Sequence, residues 1–137
     1  MSLITTLVLK DGKATPVDHT FAPQTPQSSP TSPAVWYESN SGSPLGYYQV
    51  TASVKFVQNG ISKVRFKISL PVLATPIAGC CVDTTTPVVS YTQIADLAFS
   101  IPTNATLDNR KDLLAFAKNL LSTTMATEAV TLLQPAW

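Results

Sequence analysis

Six side chains stand out by type and spacing: Thr51, Ser53 and Lys55, then Lys63, Arg65 and Lys67. Within each set the residues occupy alternate positions, the period at which strand residues share one face. Ammonium and guanidinium groups bind phosphate oxygens, and hydroxyls hydrogen-bond to phosphates or base edges. The chemistry is recognition of a polyanion, with nucleic acid the obvious candidate. The same pattern also describes a solvated strand face carrying edge lysines.

Few other residues offer chemistry. His19 is the single histidine, and it is expected at the surface of a weak edge strand. No nucleophile, base and orienting group share the spacing of a known catalytic motif. The five glycines form no phosphate-binding loop. The acidic residues are scattered, and Asp96 alone shares the cationic face, where it is expected as a salt-bridge partner. No catalytic residue, metal or cofactor is therefore expected, and the chain does not read as an enzyme. Asn104-Ala105-Thr106 matches a glycosylation sequon and reads as a helix cap. Trp36 and Tyr37 suit core and edge packing better than a base-stacking platform, with Tyr37, Tyr47 and Tyr48 left as the candidates for stacking. Cys80 and Cys81 are adjacent, so they bridge each other only through a strained ring and form no four-ligand zinc site. They are either reduced thiols or a link to another subunit.

The elements that must position the cationic face are strands. From residue 50, Val50, Ala52, Val54 and Phe56 alternate with Thr51, Ser53 and Lys55. After Asn59-Gly60, Val64, Phe66, Ile68 and Leu70 alternate with Lys63, Arg65, Lys67 and Ser69. This is a hairpin with one apolar and one polar face. A two-residue Asn-Gly turn would set apolar positions opposite polar ones. A three-residue loop, Gln58-Asn59-Gly60 with Gly60 at positive φ in a bulge, matches the faces and puts Lys55 opposite Lys63.

Strands are also predicted at residues 3–10, 14–21, 34–39 and 88–101. Asp11-Gly12-Lys13 marks the first turn. Residues 22–33 hold four prolines and read as a loop. Pro71 is expected to close its strand, and residues 72–87 form a loop carrying the cysteines. Residues 107–121 have helical spacing after N-cap candidates at 103–106, and residues 126–133 suit a second short helix. Strands followed by helices argue for α+β with an antiparallel sheet. One helix cannot cover a sheet more than ~20 Å wide, so another chain must cover part of it, most simply in a two-fold dimer.

Composition agrees. The chain has 137 residues, which suits a single domain over 1–137. Charged residues make up 12 % and the net charge is +1, which excludes a polybasic arm. No apolar run approaches the ~18 residues of a membrane span. Met1-Ser2-Leu3-Ile4 begins no basic or long apolar region, so no signal peptide is expected.

Several segments resemble the coat proteins of single-stranded RNA bacteriophages, the leviviruses. They are Ala34-Val35-Trp36-Tyr37-Glu38-Ser39-Asn40-Ser41, Tyr48-Gln49-Val50-Thr51-Ala52-Ser53-Val54-Lys55 and Lys67-Ile68-Ser69-Leu70-Pro71. Tyr91-Thr92-Gln93-Ile94 and Leu97-Ala98-Phe99-Ser100-Ile101-Pro102 add to these. The resemblance implies an N-terminal β-hairpin (1–21), a five-stranded antiparallel sheet (34–101) and two C-terminal helices (104–133). It implies an interlocked homodimer whose helices cover the partner's sheet, and dimers that assemble into an icosahedral shell around genomic RNA. The virion would assemble in the cytoplasm of a bacterial host, with no membrane partner. The bare sheet face would bind an RNA hairpin, repress translation and mark the genome for packaging. Thr51, Ser53, Lys55, Lys63, Arg65 and Lys67 match RNA-facing positions of the family. Some members link subunits through cysteines in the loop before the last strand, which implies an inter-subunit disulfide at Cys80 or Cys81. Two positions depart from the pattern: Ile94 stands where one branch has a stacking tyrosine, and Asp96 replaces a neutral polar residue. A dimeric nucleic-acid-binding protein that forms no shell is the alternative.

Overall fold

A computed structural model describes residues 3–74 and 86–135. The strands are β1 (Leu7–Lys10), β2 (Asp18–Thr25), β3 (Ala34–Glu38), β4 (Tyr48–Lys55), β5 (Ile61–Leu73) and β6 (Val89–Pro102). They are followed by helices α1 (Leu107–Leu121) and α2 (Thr124–Thr131). Two compact units result, Met1–Ser100 with the sheet and Ile101–Trp137 with the helices.

The strands form one sheet in the order β1-β2-β3-β4-β5-β6. The expected separate hairpin and five-stranded sheet are thus continuous, with six strands. The reason is the length of β2. Its first half pairs with β1, from Leu7 opposite Phe21 to Lys10 opposite Asp18. Its second half pairs with β3, with Ala22 opposite Tyr37 and Pro23 opposite Trp36. Residues 22–25 therefore belong to a strand and not to the Pro-rich loop, and the register shifts between Pro23 and Thr25, where proline removes a ladder donor.

Asp11 explains why β2 starts later than the turn signal suggested. Its Oδ1 accepts a hydrogen bond from the Val17 N–H at 2.9 Å, and the Asp11 N–H donates to the Val17 carbonyl at 3.1 Å. The connection therefore spans residues 11–17. Further on, Gln27 replaces a strand. Its side-chain amide donates to the Val54 carbonyl at 2.7 Å and accepts from the Val54 N–H at 2.9 Å. Val54 lies past the last β3–β4 pair, Ala34 opposite Ala52, so its backbone groups would otherwise lack a ladder partner.

Strand β5 runs through Pro71 to Leu73, which corrects the expectation that Pro71 ends it. The β4–β5 ladder begins at Gln49 opposite Ser69. Pro71 lies beyond it, and its missing N–H breaks no bond on that side. Gly60 has φ 158°, positive as expected but almost extended, unlike the left-handed glycine of a standard bulge.

Helix α1 has the predicted bounds. Thr106 caps it by accepting from the Asn109 N–H at 3.3 Å, with Asp108 in the first turn. Thr123 caps α2 in the same way, through the Ala126 N–H at 3.2 Å.

Among the described residues three hydrophobic side chains are buried: Phe21, Trp36 and Val50. Ile4, Leu7, Ala34, Tyr48, Ala52 and Ile68 pack around them. Trp36 Nε1 donates to the Thr5 carbonyl at 2.8 Å, which ties the N-terminal segment to β3. Neither helix has a buried residue in the single chain, and Phe116 on α1 is 69 % exposed. Val54, Phe66 and Leu97 on the sheet are exposed as well. So much uncovered apolar surface marks an interaction surface.

Candidate nucleic-acid interface

The register of β4 against β5 builds the site. Thr51 lies opposite Lys67, Ser53 opposite Arg65 and Lys55 opposite Lys63. All six side chains therefore share one face, and the odd-residue loop places the two lysines across from each other as the sequence predicts. Thr51, Ser53 and Lys67 are half-buried, whereas Lys55, Lys63 and Arg65 are exposed. Strand β3 continues the face: Val35 lies opposite Thr51 and Tyr37 opposite Gln49.

Strand β6 adds Asp96. The Arg65 guanidinium grips its carboxylate: Nε donates to Oδ1 at 2.8 Å and to Oδ2 at 3.0 Å, and Nη2 also donates to Oδ2. Arg65 holds the Asp96 carboxyl below the usual carboxylate range, against a desolvation cost, and Lys67 contributes in the same direction. The expected salt bridge is formed. No acidic side chain within salt-bridge distance meets Lys55, Lys63 or Lys67 among the described residues. An open pocket of about 310 Å³ lies beside the pair, with Lys63, Arg65, Asp96, Ala98 and Ser100 in its lining.

The tyrosines divide between the faces. Tyr37 lies on the cationic face, while Tyr48 is opposite Glu38 and packs against the buried cluster, so it is no stacking platform. Ile94, two residues from Asp96 on β6, is 57 % exposed. Cys80 and Cys81 lie outside the described residues.

One cluster is absent from the sequence reading. His19 is half-buried, not a free surface residue. Its Nδ1 lies 2.9 and 2.8 Å from the Glu38 carboxylate oxygens, and its Nε2 is 3.5 Å from Asp11 Oδ2. Asp11 Oδ2 is buried and accepts no well-aligned hydrogen bond, although Lys13 Nζ stands 2.9 Å away. The three groups lie far apart in sequence, and only the β1–β2 and β2–β3 pairings bring them together. Among the described residues no group of His, Cys, Asp and Glu is arranged to hold a metal ion.

The levivirus coat protein family model matches residues 2–137. The chain belongs to the levivirus coat protein family. It is 30 % identical over 115 residues to the capsid protein of Pseudomonas phage PRR1, covering 84 % of this chain and 82 % of that protein. It superposes on the virus-like particle subunit of bacteriophage NT-214 with TM-score 0.93 and 48 % identity, over 99 % of this chain and 100 % of that one. The subunit of the bacteriophage ESE058 particle gives TM-score 0.89 and 28 % identity, again over 99 % and 100 % of the chains. A levivirus coat protein is a structural capsid subunit and not an enzyme. Its fold is the curled antiparallel sheet with two C-terminal helices described above. The uncovered apolar surface of the single chain is that of a subunit built to associate.

Proposed function

We propose that this coat protein dimerises, assembles into an icosahedral shell in the bacterial cytoplasm, and binds phage RNA on the face formed by Thr51, Ser53, Lys55, Lys63, Arg65 and Lys67. One observation carries the RNA reading: Lys55 lies directly opposite Lys63, with no acidic partner within salt-bridge distance among the described residues. Like charges across a strand pair destabilise it. A phosphate backbone lying along the face neutralises them and releases its own counterions. The half-buried hydroxyls of Thr51 and Ser53 sit beside these cations and hydrogen-bond an unpaired base or a sugar. An RNA hairpin bound there serves both translational repression and packaging. Shell formation draws support from the NT-214 particle subunit, whose chain aligns end to end with this one.

Expression of the full chain in bacteria followed by electron microscopy tests the shell. Closed particles that protect RNA from nuclease are expected. A stable dimer that never forms particles would refute the shell, and particles free of RNA would refute the RNA face. Non-reducing gels of the particles test the further proposal of a subunit link through Cys80 or Cys81: monomer in both reducing and non-reducing lanes would refute it.

A further inference from the structure

Gln27 lies in the connection between β2 and β3, yet it completes the strand that carries Ser53 and Lys55. Its Nε2 donates to the Val54 carbonyl at 2.7 Å, and its Oε1 accepts from the Val54 N–H at 2.9 Å. One side chain thus supplies the pair of bonds that a neighbouring antiparallel strand would make. Val54 is two positions beyond Ala52, where the β3 ladder ends, so its backbone groups point to the same side as those of Ala52. The amide is oriented by its own loop. Nε2 also donates to the Ser29 carbonyl at 3.1 Å, and the Ser32 N–H closes a turn on that carbonyl at 3.2 Å.

Val54 stands between Ser53 and Lys55, and on the β5 side the ladder ends with Lys55 opposite Lys63. Like charges there push the two strand ends apart, at the point where β3 no longer supports β4. The Val54 side chain is 51 % exposed, so packing holds this end weakly. Gln27 supplies the support on the β3 side. We propose that Gln27 is a positioning residue of the RNA face: it fixes the end of β4 and so holds Lys55 in place for the phosphate backbone. This inference rests on the RNA-face reading above. A strand end ordered before RNA arrives loses less conformational freedom on binding.

The full chain, kept as dimers, is titrated against a short fluorescein-labelled single-stranded RNA of mixed sequence. Gln27→Met keeps the side-chain length but removes both hydrogen bonds, so binding should weaken about three- to ten-fold. Gln27→Asn keeps the amide but is one methylene short of Val54, and it should lose as much. Both losses should shrink to within about two-fold in a Lys55→Gln background and persist in a Lys67→Gln background. Equal losses in the two backgrounds would show a general effect on the fold and overturn the inference. Unchanged binding by Gln27→Met would overturn it too. Hydrogen exchange at the Val54 amide should be faster in Gln27→Met than in the unmodified protein, and equal exchange would also overturn it. The variant with Lys55, Lys63 and Lys67 all changed to Gln separates the two readings. If it binds as well as the unmodified protein, the RNA face itself is wrong. If it loses binding while Gln27→Met changes nothing, the role of Gln27 alone is wrong.

Discussion

His19 on β2 meets Glu38 on β3 through Nδ1, at 2.9 and 2.8 Å from the two carboxylate oxygens. Asp11, from the loop after β1, approaches the other ring nitrogen at 3.5 Å, Lys13 in turn faces Asp11, and the Tyr48 ring of β4 lies 6.0 Å away. The first hairpin is thereby fastened to the sheet by charge as well as by its ladder.

This contact predicts a pH dependence. Glu38, and secondarily Asp11, raise the His19 pKa above its ordinary value. The stabilisation is therefore complete below the unfolded value of about 6.5 and is lost as pH rises through the raised folded value. Asp11 behaves oppositely: Lys13 first, then the Val17 N–H, hold it far below the usual carboxylate range. Its contribution is present above about pH 4 and fades as pH falls towards the depressed value. The difference in Tm between the protein and His19→Gln should be larger near about pH 5.5 than near about pH 8.5. Equal differences at both would show that the imidazolium contributes nothing.

On the proposed RNA face, changing Lys55, Lys63 and Lys67 to Gln would remove three phosphate contacts. The salt slope of RNA binding should flatten by about 2, with affinity falling similarly for all sequences. Filter binding across a salt series measures both. A slope equal to that of the unmodified protein would place the RNA elsewhere.

Phe116 is exposed on α1 in the single chain. Phe116→Lys leaves the N-cap at Thr106 intact but places a charge in surface that assembly would bury, at a cost of several kcal/mol. Sedimentation should show a subunit that no longer forms particles. Normal particles from this variant would mean that this residue stays outside the subunit contacts.

Trp36 combines packing with one hydrogen bond, from Nε1 to the Thr5 carbonyl at 2.8 Å. Trp36→Phe keeps much of the packing and should cost about 1–2 kcal/mol through the lost bond. Trp36→Ala also opens a cavity and should cost about 3–5 kcal/mol. Urea unfolding of the dimer at fixed protein concentration distinguishes them, and equal losses would contradict this division.

Local chemistry was legible without coordinates. Alternation at residues 50–70 specified both strands, their faces and the register that opposes Lys55 and Lys63, because a one-residue slip would bury the cations. Threonine caps and helical spacing specified α1. The errors fall where a partner strand decides the outcome. Pro71 stays in β5 because β4 has already ended there, and residues 22–25 stay in β2 because β3 lies alongside to pair with them.

The sequence by itself determined a sheet with one cationic face, a capped helix followed by a second short one, and an apolar surface too large for a lone chain. All three follow from periodicity and side-chain type, which are properties of neighbouring residues. The sequence marked Asp96 as a salt-bridge partner on that face, but tertiary structure alone decided that Arg65 is the cation it holds and that His19 meets Glu38. Asp96 follows Arg65 by thirty-one positions and Glu38 follows His19 by nineteen. Such contacts depend on which strands lie side by side, and local spacing carries no record of that distance.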